Sequence, residues 1–192
     1  MKIKTGLFFG SFNPIHIGHM IIANYMIEFT EMDELWFVIT PHNPFKKRNT
    51  LLADHLRLEM TEIAIGKDER FRACDIEFRM PKPSYTIDTL MLISEKYTGN
   101  EFSLIIGSDN LEAFDKWKNY ELIEKNFKRY IYPRKNTDNK DYTNLINAEV
   151  VNAPQIEISS SFLRESIKNG KRPDKFFPAR VFEFIDKMNL YK

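Results

Sequence analysis

The sequence predicts an α/β fold: a mostly parallel sheet covered by helices on both faces, with a small helical part near the C-terminal end. Three observations carry this reading. Short apolar runs alternate with stretches of helical spacing along the chain. Three of those runs end in segments rich in turn formers and polar residues, Gly10-Ser11-Phe12-Asn13, Thr40-Pro41-His42-Asn43 and Gly107-Ser108-Asp109-Asn110. The 192 residues, 43% of them hydrophobic, supply one full core and exclude a disordered chain.

Ile3 to Phe9 reads as a buried strand stopped by Gly10. Ile17 to Phe29 has helical spacing. Leu35 to Ile39 is a second strand, closed by Pro41. Asp54 caps a helix running to about Ile65, with Gly66 after it. Phe71 to Phe78 reads as a strand, and Ile87 to Tyr97 as an amphipathic helix opened by Thr86. Phe102 to Ile106 is a strand ending at Gly107. Tyr120 to Lys125 is helical, Arg129 to Tyr132 a strand stopped by Pro133, and Val150-Val151 marks a last strand. Residues 134 to 144 lack periodicity and read as an exposed loop. The tail carries two helices, Ser161 to Asn169 and Ala179 to Met188, the second with Pro178 near its start. The expectation is one domain over 1–192, with the helical part at about 159–192.

The totals exclude several classes of function. Lysine plus arginine number 28 against 27 acidic residues, so a net charge of +1 gives no reason to expect a surface for nucleic acid or membrane. Any charge that binds phosphate must be local. One cysteine, Cys74, excludes an internal disulfide and a cysteine metal cage; it reads as a buried, inert thiol suited to a reducing cytoplasm. The N-terminus carries no apolar signal stretch, and no segment approaches about 18 uninterrupted apolar residues. No pattern specifies an assembly state.

In open parallel sheets ligands bind beyond the carboxyl ends of the strands, which makes the three strand-end segments one candidate site. The first continues as Gly10-Ser11-Phe12-Asn13-Pro14-Ile15-His16-Ile17-Gly18-His19. A glycine lets backbone approach a phosphate, and helix N–H groups favour anions. His16 and His19 are three apart and share a face of the helix start, with Gly18 leaving space between them. A plain strand-to-helix turn needs no such pair, and a metal site lacks a third ligand of evident spacing. Ile158-Ser159-Ser160-Ser161-Phe162-Leu163-Arg164 is a capped helix start beside an arginine, which suits a triphosphate or nothing more than a cap. Pro41-His42-Asn43-Pro44-Phe45-Lys46-Lys47-Arg48 sets three cations in a proline-bearing loop, a phosphate lid or a solvated loop. Asp109, at a strand end, is placed to accept hydrogen bonds from a ribose, and Trp117 is either core or an aromatic face for a flat ring.

These strings, in this order, resemble the HxGH-type adenylyltransferases, and within them the bacterial nicotinate-nucleotide adenylyltransferases, from about Lys4 to Tyr191. The resemblance implies a Rossmann-like, doubly wound sheet and adenylyl transfer from ATP to nicotinate mononucleotide, giving deamido-NAD and pyrophosphate. It also implies that Mg²⁺ arrives with the ATP phosphates and no protein-built metal cage is needed. Gly10, Ser11, Phe12, His16, Gly18, His19, Gly107, Asp109, Arg134, Ile158, Ser159, Ser160, Ser161 and Arg164 then meet ATP. Asn43, Tyr85, Thr86, Asp109 and Trp117 meet the pyridine mononucleotide. The catalytic set becomes His16, His19, Lys46, Lys47 and Arg164. Ser161 and Leu163 stand where the family signature Ile-Ser-Ser-Thr-x-Ile-Arg has threonine and isoleucine; the hydroxyl and the apolar contact are kept. Nicotinamide mononucleotide and phosphopantetheine are alternative acceptors, and a nucleotide-binding sensor without catalysis is an alternative class.

The family carries Asn-Pro-Pro-His-Lys where this chain has Asn43-Pro44-Phe45-Lys46-Lys47. Lys46 and Lys47 should therefore share the phosphate role unequally. Single Lys46→Ala and Lys47→Ala variants should lose ATP-dependent turnover to different extents, and a double variant with normal kinetics would make the loop a solvated one.

Overall fold

The computed structural model describes residues 1–41, 51–134 and 145–192. These form six strands in one sheet ordered β3-β2-β1-β4-β5-β6: β1 (Ile3–Gly10), β2 (Glu34–Ile39), β3 (Phe71–Cys74), β4 (Asn100–Gly107), β5 (Lys128–Tyr132) and β6 (Ala148–Val150). All five pairings are parallel. The order reverses between β1 and β4, the place where such sheets open a crevice at their carboxyl edge.

Parallel strands buried on both faces need apolar residues at every position, and the alternation assigns each to a face. Phe8, Leu35, Phe37 and Ile105 point into one core; Leu7, Trp36, Val38, Leu104 and Ile106 point into the other. The first core is covered by α1 (Ile17–Phe29), α2 (Asp54–Ile65), α6 (Ser160–Lys168) and α7 (Ala179–Lys187). The second is covered by α3 (Thr86–Lys96) and α5 (Tyr120–Asn126), with the short α4 (Ser108–Leu111) between them in sequence. The helical tail contributes Leu163, Ile167, Val181, Phe182 and Ile185 to the same core as Phe8 and Phe12. Each such fully buried side chain is worth roughly 1.5–3 kcal/mol of transfer free energy. Among the described residues no helix is long and apolar enough to cross a membrane. Cys74 is a buried free thiol, and burial raises its pKa.

Three local expectations are corrected. The strand expected over Phe71 to Phe78 ends at Cys74, and Ile76–Arg79 is a 3-10 turn. The buried Glu77 accepts hydrogen bonds from Ser84 Oγ at 2.9 Å and Thr89 Oγ at 2.7 Å, a demand that the ladder cannot meet. Asp54 is the first residue of α2 rather than its cap, because its carboxylate turns to Arg57; Ala53 holds the cap position. Thr86 likewise opens α3 from inside, with Tyr85 at the cap.

Candidate active site

The loop leaving β1 is shaped by its own phenylalanine. Phe12 adopts a left-handed backbone, φ 42°, and turns its ring into the core against Phe8 and Phe37. A Cβ on Gly10 would come within 2.7 Å of that ring, so the returning loop needs glycine there. Cations take up the loop's carbonyls. Buried Arg57 donates to Ser11 O at 2.6 Å and Thr40 O at 2.9 Å, tying the ends of β1 and β2 together. Arg164 Nη1 donates to Asn13 O at 2.8 Å, and Ser160 Oγ to Pro14 O at 2.9 Å. The Ser11, Asn13 and Pro14 carbonyl oxygens, which would repel a phosphate, are thus bound by donors.

His16 occupies the N-cap of α1 and His19 lies one turn in, their rings stacked with centroids 3.8 Å apart. The backbone N–H of His16 donates to His19 Nδ1 at 3.2 Å. That bond leaves the proton of a neutral His19 on Nε2, as a donor. His16 is 4% exposed, and its Nδ1 has no hydrogen-bond partner among the described residues. Burial, with the charge of Arg134 adding to it, lowers its pKa to about 4, so it is neutral at pH 7. A Cβ on Gly18 would meet His16 Nδ1 at 3.0 Å and Ile156 at 3.2 Å, so the helix start approaches both only as glycine.

The carboxyl edge of the sheet opens into two cavities. A small one, on the α1 side, is lined by Phe8, His16, Gly18, His19, Arg134 and Ile158, among others. A larger one of about 480 Å³, on the α3 side, brings together Gly10, Ser11, Tyr85, Thr86, Asp109 and Trp117. The β1–α1 loop borders both. Arg134 Nε stands 3.7 Å from Asp109 Oδ1 across their boundary, and the Arg134 backbone N–H donates to Ser108 Oγ at 2.8 Å. Gly107 sits beneath Asp109 at the end of β4.

Eleven of the expected residues therefore converge on these two cavities: Gly10, Ser11, His16, Gly18, His19, Tyr85, Thr86, Asp109, Trp117, Arg134 and Ile158. Phe12 packs behind the loop and lines neither. Ser159 caps α6 through Phe162 N at 3.2 Å, Ser160 and Arg164 brace the loop, and Arg164 Nη2 also donates to Ser161 Oγ at 3.2 Å. Asn43, Lys46 and Lys47 lie outside the described residues. Thr40, from the second strand-end segment, also lines the larger cavity; the sequence reading missed Glu77 and Lys118, which line it too. Lys118 pairs with Asp88 at 2.8 Å and sits 4.8 Å over the Tyr85 ring. Glu77 braces the segment leading into α3 through Ser84 and Thr89; the paired hydroxyls around Tyr85 were its only signal.

A family model described as cytidylyltransferase-like matches residues 7–166. A protein of Flavobacterium psychrophilum named "Probable nicotinate-nucleotide adenylyltransferase" is 48% identical, over 99% of this chain and 100% of its own. One of the same name from Cytophaga hutchinsonii is 50% identical over 98% of both. The chain belongs to this family of nucleotidyltransferases. In fold it is similar to the Plasmodium falciparum nicotinic acid mononucleotide adenylyltransferase complexed with NaAD, with a TM-score of 0.79 and 21% identity over 98% of this chain and 97% of that one. The Rossmann-like doubly wound sheet expected from the family's motifs is the sheet observed.

The family's first histidine here carries a stability signature. Unfolded, His16 takes up a proton near pH 6.5; folded, only near pH 4. Its contribution is therefore full above about pH 6.5 and is lost as pH falls toward 4. At roughly 1.4 kcal/mol per tenfold change in proton affinity, the loss amounts to about 3 kcal/mol. Glu77, whose carboxyl is raised by burial, acts with the opposite sign, but equally in both proteins of a comparison. The stability of wild type relative to His16→Gln, measured by urea unfolding, should fall by most of that amount between pH 7 and pH 4. A difference independent of pH would refute the buried neutral imidazole.

Proposed function

We propose that this site transfers the adenylyl group of ATP to the phosphate of nicotinate mononucleotide, releasing pyrophosphate and forming deamido-NAD, with the adenosine half toward Arg134 and Ile158 and the pyridine half in the larger cavity. The observation that carries this is the β1–α1 loop bordering both cavities, with Gly10 and Ser11 lining one and His16, Gly18 and His19 the other. A dinucleotide product bound across the edge would have its pyrophosphate bridge over that loop.

The monoester oxygen of the mononucleotide attacks the α-phosphorus in line. One P–O bond forms, the bond to the bridging oxygen of pyrophosphate breaks, and its electron pair leaves with pyrophosphate. The attacking monoester is mostly dianionic near pH 7, since its second pKa is about 6, so no strong base is required. Catalysis then rests on positioning and on donors aimed at spreading negative charge. His19 supplies one from Nε2, because its Nδ1 already accepts the His16 amide. His16 and Arg134 line the same cavity, and Arg164, with Lys46 or Lys47, is assigned to the β- and γ-phosphates. Asp109 serves a ribose, and Trp117 offers a face to the pyridine ring.

Adenylyl transfer from ATP generally uses a divalent metal, here proposed to be Mg²⁺. Among the described residues there is no group of three or more His, Cys, Asp or Glu that could hold an ion, and the cation is proposed to arrive with the ATP phosphates. The ion would neutralise phosphate charge. A reducing cytoplasm fits the single buried thiol of Cys74.

Pyrophosphate release on mixing ATP with nicotinate mononucleotide tests the reaction. His19→Ala should fold normally and lose about 10²–10³ in kcat, the usual cost of one preorganised donor; turnover like wild type would remove His19 from the reaction.

The acid should be preferred over the amide. The two acceptors differ only in carboxylate against carboxamide, so discrimination needs donors facing both oxygens. Tyr85 and Thr86, at the cap and first position of α3, line the larger cavity, and a helix start carries backbone N–H groups without intrahelical partners. Charge-assisted bonds are worth about 1.5–3 kcal/mol each, and two give at least roughly a hundredfold preference in kcat/KM. Equal values for the two mononucleotides would overturn the substrate assignment and leave adenylyl transfer standing.

A further inference from the structure

We propose that Tyr191, far from the candidate site in sequence, is a positioning residue that holds the β1–α1 loop in its ATP-binding shape through Asn13; this rests on the adenylyl-transfer reading above. Its hydroxyl donates to Asn13 Oδ1 at 2.8 Å, across 178 positions of chain. The same oxygen accepts the backbone N–H of Leu52 at 3.3 Å, and the Asn13 carbonyl accepts from Arg164 at 2.8 Å. Asn13 thereby joins three parts of the molecule: the segment entering α2, helix α6 and the tail beyond α7.

The tail is built to deliver that hydroxyl. Leu190 is buried and its N–H donates to Ile185 O at 3.0 Å, which fixes the chain after α7. Asn189 and Tyr191 both take left-handed backbone, φ 54° and 64°, turning the tail back toward the loop. A bulky side chain keeps such a conformation only where its surroundings hold it. Burial raises the phenol's pKa, with the nearby guanidiniums of Arg164 and Arg57 offsetting part of the shift, so the hydroxyl stays protonated and remains a donor. No reacting atom is assigned to Tyr191. It acts through Asn13 on the part of the loop that leads to His16 and the cavity assigned to ATP; Ser11, which lines the pyridine cavity, is held separately by Arg57.

Tyr191→Phe removes only the hydroxyl. In steady-state pyrophosphate release, its KM for ATP should rise about tenfold, the effect of one lost hydrogen bond. The KM for nicotinate mononucleotide should stay within about twofold, since Arg57 still holds Ser11 at the pyridine cavity when the bond to Asn13 is lost. Asn13→Ala should show the same split, and the double variant should lose no more than Asn13→Ala alone, because the two residues act as one unit. Unchanged kinetics in Tyr191→Phe, a parallel rise in both KM values, or additive losses in the double variant would each overturn the inference while leaving the function in place. A wild-type protein that releases no pyrophosphate would overturn both.

Discussion

Arg57 lies fully buried beneath the carboxyl edge of the sheet, and its guanidinium donates to Ser11 O, Thr40 O, Leu52 O and the Asp54 carboxylate. These acceptors belong to the ends of β1 and β2, the segment entering α2, and α2 itself. Strand ends carry backbone oxygens that the ladder no longer pairs, and each one left buried without a donor costs about 1–3 kcal/mol. A single planar cation with five donors serves these four acceptors at once, more than the three donors of a lysine could. Asp54 neutralises the charge at 2.5 Å, so the ion is paired as well as hydrogen-bonded. The candidate site stands on this arrangement. With Ser11 and Thr40 fixed, Phe12 is held in the core and His16 arrives at the cap of α1.

From there the fold divides its two ligand spaces by the faces of one sheet. Side chains that alternate along β1, such as Leu7 and Phe8, belong to opposite cores, and the helices over those cores differ. The helix start of α1 therefore opens on one side and that of α3 on the other, with the β1–α1 loop between. A net charge of +1 for the whole chain makes sense on these terms. On the proposed reading phosphate attraction is confined to a loop, a helix start and a few cations, and the half-exposed Arg134 has Asp109 beside it at 3.7 Å.

How much of this was legible in the sequence depends on range. Helix α1 runs from Ile17 to Phe29, the span its periodicity indicated, because both its start signal and its apolar face are local. The strand-end strings were legible for the same reason, since a parallel sheet gathers its carboxyl ends whatever the details of packing. The second half of the expected third strand failed because Ile76 and Phe78 alternate like a strand while buried Glu77 answers to Ser84 and Thr89, which are reached only in the folded state. Arg57 read as an ordinary helical arginine, 46 positions from Ser11, and Tyr191 as tail. Period and spacing report on neighbours along the chain. They say nothing about a polar side chain whose partner is a backbone carbonyl elsewhere.

The residues hidden from the sequence are thus the ones that hold geometry, and this follows from the chemistry assigned to the site. A monoester already ionised near neutral pH needs no base, so the enzyme gains rate mainly by fixing where two phosphates meet and where donors point. As the proposed donor, His19 Nε2 is useful only if its ring is held in place, and the His16 amide donating to Nδ1 orients it. The His16 amide is itself fixed by a loop whose carbonyls are bound by Arg57, Arg164 and Ser160. Those groups come from α2 and α6, which are anchored in the core that Phe8 and Phe12 share. Each step outward from the reacting phosphate exchanges a recognisable catalytic motif for a less recognisable structural one, until the arrangement ends in ordinary hydrophobic packing.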